Sequence, residues 1–135
     1  MADLHVLVVE DDDTIRRLLV DYLKSHSYVE VDAARDGVEA LHKLAVGNYG
    51  VMVLDVMMPK MSGVDLLDSL HAMSSDASLH APTALPKIVV VTAAADSELP
   101  SGAIEQKFPE LVAAVYRKPV DLTLLAETVE ACLRG

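Results

Sequence analysis

The stretch HVLVVEDDD, residues 5–13, joins a short apolar run to a cluster of acids. The apolar part, His5 to Val9, is too short for a helix and rich in valine, so it predicts a strand buried within a sheet. Similar short runs recur along the chain: Val29 to Ala34, Val51 to Leu54, Lys87 to Val91 and Val112 to Tyr116. The sequence therefore predicts five strands.

Segments with helical spacing separate these strands. The first helix is predicted by apolar residues at positions i, i+3, i+4, i+7 and i+8, namely Ile15, Leu18, Leu19, Tyr22 and Leu23. The same spacing recurs in three later segments: Val38, Leu41, Leu44 and Ala45; Val64, Leu67, Leu70 and Met73; and Leu125, Val129, Cys132 and Leu133. Asp121 precedes the last segment and is its expected N-cap.

A further helix, the fourth in chain order, is expected between the fourth and fifth strands. Pro100, Gly102 and Pro109 restrict it to roughly Ser101 to Lys107, so we expect it to be short or displaced. Strands that alternate with helices indicate a parallel sheet with helices on both faces. The predicted fold class is α/β.

Size, charge and cysteine content limit the possible functions. The 135 residues carry a formal net charge of -10 and are about half hydrophobic, which predicts one domain, 1–135, with a single core. The negative charge argues against direct nucleic-acid binding and favours cations and basic partners. The single cysteine, Cys132, indicates a reducing compartment and predicts the cytoplasm. No apolar run predicts a membrane span. The chain ends near the last helix without an output domain, so we expect either a stand-alone domain or one excised from a longer protein.

Acidic residues follow the first and third strands. Glu10, Asp11, Asp12 and Asp13 continue the first strand, and Asp55 ends the third. The carboxyl ends of parallel strands share one edge of the sheet, where open α/β sheets bind ligands. Asp12 or Asp13 is expected to cap the first helix. Asp55 instead follows a buried run, so its charge requires a partner.

Three converging acids require a compensating cation. Two carboxylates about 4 Å apart repel by roughly 4 kcal/mol at an effective dielectric near 20. Mg²⁺ prefers carboxylate oxygens, water and phosphate, which matches a cluster of Glu10, Asp11 and Asp55 that lacks His and Cys. Thr92 after the fourth strand and Lys118 after the fifth add a hydroxyl and a positive charge at the same edge. These groups suit phosphoryl transfer.

Four motifs end the predicted strands in order: VLVVEDD at Val6 to Asp12, VLDVMMPKMSG at Val53 to Gly63, VVVTA at Val89 to Ala93, and RKP at Arg117 to Pro119. Together they resemble the four signatures of bacterial two-component response-regulator receiver domains, and they span most of the chain. The resemblance implies a chemotaxis-regulator-like, flavodoxin-like fold with strand order 2-1-3-4-5. It also implies a regulatory phosphoacceptor domain rather than a turnover enzyme.

The resemblance assigns roles to individual residues. Asp55 matches the residue that accepts a phosphoryl group, and the donor would be a sensor histidine kinase or a histidine phosphotransfer protein. The implied Mg²⁺ ligands are Glu10, Asp11, Asp55 and the backbone carbonyl of Met57. Thr92 and Lys118 match the hydroxyl and the lysine that contact the phosphoryl oxygens. An unknown downstream protein would respond to the phosphorylated state.

Some positions depart from the family pattern. Val115 replaces the usual aromatic switch residue, and Tyr116 is predicted on the opposite face of its strand. Met57 and Ala94 cannot position water, which predicts slow loss of the phosphoryl group. Two other functions remain open: a haloacid-dehalogenase-type phosphatase, disfavoured because residue 57 is not an acid, and a pseudo-receiver that binds partners without phosphorylation.

Overall fold

The five strands form one parallel sheet. The computed structural model describes residues 5–27, 29–55, 63–75, 86–92, 111–117 and 120–134. The strands are β1 (His5–Val9), β2 (Glu30–Ala34), β3 (Val51–Asp55), β4 (Lys87–Thr92) and β5 (Val112–Arg117). Their order is β2-β1-β3-β4-β5, and every neighbouring pair is parallel. The predicted strands and strand order are confirmed, with strand ends that differ by one residue at most.

The described residues also form four helices, which cover both faces of the sheet. They are α1 (Asp13–Ser27), α2 (Gly37–Val46), α3 (Gly63–Ser75) and α4 (Leu122–Arg134). The predicted helix between Ser101 and Lys107 lies outside the described residues. No helix within the described ranges has both the length and the apolar composition needed to cross a membrane.

Alternate residues of the inner strands face opposite cores. Leu7, Met52 and Leu54 pack with Leu44, Leu66 and Leu67 of helices α2 and α3. On the other face, Val8, Val51 and Val53 pack with Leu19, Leu23 and Leu125 of helices α1 and α4. Each fully buried valine or leucine stabilises the fold by about 1.5–3 kcal/mol relative to an exposed one. Burial on both faces explains why these strands are apolar throughout rather than alternating.

Aspartates cap three of the described helices. The backbone N–H of Ile15 donates to Asp12 Oδ1 at 2.9 Å, so Asp12 rather than Asp13 caps α1. Asp36 caps α2, and Asp121 caps α4 as predicted, accepting from the backbone N–H of Leu124 at 3.1 Å. Each such cap contributes about 0.5–2 kcal/mol to stability.

The buried sides of α1 and α2 differ in part from the predicted stripes. Leu18 is 53% exposed and Val38 is 44% exposed. In α2 the buried residues are Gly37, Ala40 and Leu44. Gly37 and Ala40 have too little apolar surface for the sequence pattern to mark them as buried. The predicted apolar stripe therefore included the larger Val38, which lies to one side of the buried face. In α1 the predicted Leu19 and Leu23 are buried, and Leu18 lies at the flank of the stripe.

Candidate functional site

The acidic cluster lies where the two adjacent strands β1 and β3 end. Asp55 is the last residue of β3, and Glu10 directly follows β1. The backbone N–H of Glu10 donates to the carbonyl of Ala34 at 3.1 Å, which extends the pairing of β1 with β2 by one residue. The sheet therefore fixes the backbone on which both acids are carried.

Three carboxylates converge at this edge. One oxygen from each of Glu10, Asp11 and Asp55 can be chosen so that all three lie within 4.8 Å of one another. Glu10 is 2% exposed and Asp55 is 5% exposed, whereas Asp11 is open to solvent. Two buried acids and an exposed third thus concentrate negative charge at this edge of the sheet.

The donor set fits a hard divalent cation. All three groups offer carboxylate oxygens, and neither thiolate nor imidazole belongs to the cluster. Such a set suits Mg²⁺, which binds a few carboxylate oxygens and completes its octahedron with water or phosphate oxygens. A cation between the three groups would also offset their mutual repulsion. Glu10, Asp11 and Asp55 could therefore hold Mg²⁺.

Thr92 supplies a buried hydroxyl on the neighbouring strand. It ends β4 one residue beyond Val91, which pairs with Asp55 in the sheet register. Thr92 is 3% exposed, and within the part of the chain that the structure describes its Oγ1 has no hydrogen-bond partner. An unsatisfied buried hydroxyl costs about 1–3 kcal/mol, so Thr92 is ready to donate to an added acceptor.

Arg16 contacts the acidic segment, residues 10–13, through three hydrogen bonds, although no sequence motif points to it. Its Nη1 donates to the backbone carbonyl of Glu10 at 3.0 Å and to that of Asp11 at 3.4 Å. Its Nη2 donates to the carboxylate of Asp13, and this hydrogen bond holds the pKa of Asp13 below its usual range. The sequence signal available for this contact was a basic residue near a helix N-terminus, a position where the helix dipole disfavours positive charge.

The comparison with known families agrees with this geometry. The family model described as the response regulator receiver domain matches residues 6–130. The chain belongs to this family. Receiver domains of this family are regulatory parts of two-component systems, which places the chain among signalling domains rather than phosphatases.

Curated proteins similar to this receiver domain include a regulatory protein, a response regulator and an enzyme. The regulatory protein VanRB of Enterococcus faecalis is 33% identical over 131 residues, covering 97% of this chain and 53% of the relative. Response regulator MprA of Mycobacterium avium is 34% identical over 124 residues, covering 87% and 54%. A protein-glutamate methylesterase/protein-glutamine glutaminase of Myxococcus xanthus is 39% identical over 114 residues, covering 83% and 30%. The receiver domain thus spans about half, or less, of the length of these relatives.

Solved structures share the fold along nearly the whole receiver domain. A response regulator receiver protein from Pseudomonas putida has a TM-score of 0.76 and 32% identity, covering 97% of this chain and 98% of that one. TrrA from Thermotoga maritima, solved in complex with Mg²⁺-BeF, has a TM-score of 0.73 and 29% identity, covering 96% and 98%.

The structure describes four of the six predicted site residues of the receiver domain. Glu10, Asp11 and Asp55 are brought together, and Thr92 ends the next strand. Met57 and Lys118 lie outside the described residues. Strand β5 ends at Arg117, which pairs with Thr92 in the sheet register.

Val115 and Tyr116 face opposite cores of the receiver domain, as the strand alternation predicts. Val115 packs against the core under α2 and α3, and Tyr116 packs against the core under α1 and α4. The Tyr116 hydroxyl is hydrogen-bonded to the hydroxyl of Thr128 on α4. The aromatic side chain of β5 is therefore tied to the C-terminal helix.

Proposed function

We propose that this receiver domain is a phosphorylation-dependent switch of a two-component system or phosphorelay. Asp55 would accept the phosphoryl group, and Glu10, Asp11 and Asp55 would hold Mg²⁺ beside it. The observation that carries the proposal is the convergence of these three carboxylates within 4.8 Å. The related TrrA structure, which contains Mg²⁺-BeF, supports the same assignment.

The transfer step follows from the chemistry of a carboxylate nucleophile. An Asp55 carboxylate oxygen forms a bond to phosphorus while the bond from phosphorus to the donor's imidazole nitrogen breaks. The electron pair of the broken bond stays on that nitrogen. A bound Mg²⁺ would offset negative charge on the phosphoryl oxygens and on the three acids. The backbone carbonyl of Met57 is proposed as its fourth protein ligand.

Thr92 and Lys118 are proposed to stabilise the phosphorylated form. Glu10, Asp11 and Asp55 carry a formal charge of -3, which Mg²⁺ and Lys118 would balance with +3. Phosphorylation then adds a further net charge of about -1. The Thr92 hydroxyl can donate to the new phosphoryl oxygens, and the Lys118 ammonium can pair with them. Recruitment of the Thr92 hydroxyl would alter packing at the end of β4 and so produce the signal.

The partners proposed for the domain are proteins. A sensor histidine kinase or a histidine phosphotransfer protein would donate the phosphoryl group, and a downstream protein would bind the product. The net charge of -10 supports a partner with a basic surface and disfavours direct nucleic-acid binding. The single cysteine supports a cytoplasmic location for both proteins. We propose a single receiver unit over residues 1–135.

The test is phosphorylation by a small donor. The protein is incubated with acetyl phosphate and Mg²⁺, and its intact mass is compared with that of an Asp55→Asn variant and of a sample containing excess chelator. We expect a gain of about 80 Da, one phosphoryl group, in the Mg²⁺ sample of the unmodified protein alone. No gain in protein that is folded and binds Mg²⁺ would sink the proposal.

A constitutive binding module is the second candidate. Its support is Val115, which lacks the aromatic ring of the family's switch, while Tyr116 is held at the opposite face by Thr128. A module of this kind would bind its partner equally well with and without acetyl phosphate. The mass experiment separates the two candidates, because a module of this kind acts without being phosphorylated.

A further inference from the structure

Arg16 links the acidic segment, residues 10–13, to helix α1. Its guanidinium donates to the backbone carbonyls of Glu10 at 3.0 Å and Asp11 at 3.4 Å, and to the carboxylate of Asp13. The remaining acid of the segment, Asp12, caps the same helix through Ile15. The whole segment is thus anchored to the first turns of α1.

The Arg16 side chain is held in place rather than spread in solvent. It is 17% exposed, although the Asp13 side chain that it contacts is 82% exposed. A guanidinium is a rigid planar fork, so fixing its position also fixes the acceptors that it contacts. The adjacent Arg17 is exposed, and its charge contributes less than that of Arg16 to lowering the pKa of Asp13.

We propose that Arg16 is a positioning residue for the Mg²⁺ site. By bridging the carbonyls of Glu10 and Asp11, it fixes the two peptide planes and keeps the carboxylates of the same residues directed at Asp55. Rotation of either plane would swing its carboxylate away from the cluster. This inference rests on the proposed function, because it concerns Mg²⁺ binding by the same three acids.

The sign of the affinity change separates positioning from simple electrostatics. Arg16 carries a positive charge close to a site for a cation. If charge were its only influence, removing it would reduce repulsion and tighten Mg²⁺ binding. If Arg16 positions Glu10 and Asp11, removing it weakens binding. Outer groups that orient metal ligands typically change metal affinity by about 10–100-fold when removed.

Isothermal titration calorimetry with Mg²⁺ tests the proposal on the full chain. The variants are Arg16→Ala, Arg16→Lys and the matched control Arg17→Ala, which removes the same charge from the next position. We expect a Kd about 10-fold or more above wild type for Arg16→Ala, and a Kd at or slightly below wild type for Arg17→Ala. Arg16→Lys keeps the charge but not the fork, so it should also bind weakly.

Two results would overturn the proposal. One is an Arg16→Ala variant that binds Mg²⁺ as tightly as Arg17→Ala, and the other is full recovery of affinity in Arg16→Lys. Urea unfolding in the presence of chelator shows whether each variant is folded. If Arg16→Ala is not folded, the Mg²⁺ affinity of Arg16→Lys tests the proposal instead. Failure of the proposed function is distinct, because wild-type protein would then show no gain in mass with acetyl phosphate, whatever the Mg²⁺ affinities of the variants.

Discussion

The Tyr116 hydroxyl is hydrogen-bonded to the Thr128 hydroxyl, which ties strand β5 to helix α4. Thr128 Oγ1 also donates to the carbonyl of Leu124 at 3.1 Å, so the proton between the two hydroxyls comes from Tyr116. This partly buried hydrogen bond joins two residues that lie 12 positions apart in the chain.

Replacing Tyr116 by Phe should destabilise the fold by about 0.5–1.5 kcal/mol, because one partly buried hydrogen bond is lost while the ring stays packed. Urea unfolding measures the change. Tyr22→Phe is the control, since its hydroxyl contacts Thr123 at 3.1 Å at an exposed position and should matter less. Equal losses in the two variants would show that burial of the Tyr116 contact adds nothing.

Replacing Thr92 by Val should stabilise the unphosphorylated protein by about 1 kcal/mol. The substitution removes a buried hydroxyl that has no partner among the described residues and puts a methyl group in its place. The gain in stability that acetyl phosphate gives the wild type should be reduced in Thr92→Val. Thr92→Ser keeps the hydroxyl and should retain that gain in stability. If it does not, the hydroxyl is not the group that responds to phosphorylation.

Mg²⁺ should stabilise the wild type more than Asp55→Asn. At a Mg²⁺ concentration 100 times its Kd, the expected gain in the free energy of unfolding is about 2.7 kcal/mol. Without Mg²⁺ the variant should be more stable than wild type, on the order of 1 kcal/mol, because two converging carboxylates remain instead of three. Urea unfolding with Mg²⁺ and with chelator measures both differences. Asp21→Asn, outside the cluster, should behave as wild type.

The pair of Asp13 and Arg16 should make stability depend on acid pH. The hydrogen bond from Arg16 lowers the pKa of Asp13 in the folded state, so the stabilisation is present above the unfolded-state pKa and is lost as the pH falls through the folded-state pKa. Asp13→Asn should therefore lose less stability than wild type between about pH 5 and pH 2. Parallel curves for the two proteins in urea unfolding at each pH would contradict this.

The phosphoryl group should persist on Asp55 well beyond seconds, because the Met57 side chain has no strong hydrogen-bonding group to orient an attacking water. Intact-mass measurements after removal of acetyl phosphate follow the decay. Met57→Asn supplies an amide that can orient water and should shorten the lifetime, whereas Met58→Asn serves as the neighbouring control. Decay of the wild type within seconds would refute the prediction.

The strands and the acidic cluster could be predicted because their signals are local. Each buried strand is a continuous apolar run, and the acids at the ends of β1 and β3 meet because parallel strands end at one edge. Sequence periodicity was less accurate in α2, where the small residues Gly37 and Ala40 form the contact surface. The predicted roles of Met57 and Lys118 stay predictions.

Arg16 could not have been predicted from spacing alone. Its hydrogen bonds go mainly to backbone carbonyls, which every residue possesses, so no pairing of side-chain types marks the contact. Only the three-dimensional path of the turn between β1 and α1 brings those carbonyls to the guanidinium. Contacts of this kind become visible only once the backbone is known.

The acids of the cluster lie at the carboxyl ends of β1 and β3, which are inner strands with a paired neighbour on each side. Backbone amides in such strands exchange with solvent hydrogen mainly when the domain opens as a whole, because local fraying starts at edges and ends. The paired strands thus keep the two buried carboxylates, Glu10 and Asp55, in one arrangement. If the proposed function holds, an incoming phosphoryl donor would meet carboxylates that need no prior folding step, and the rate of transfer would depend on collision and chemistry.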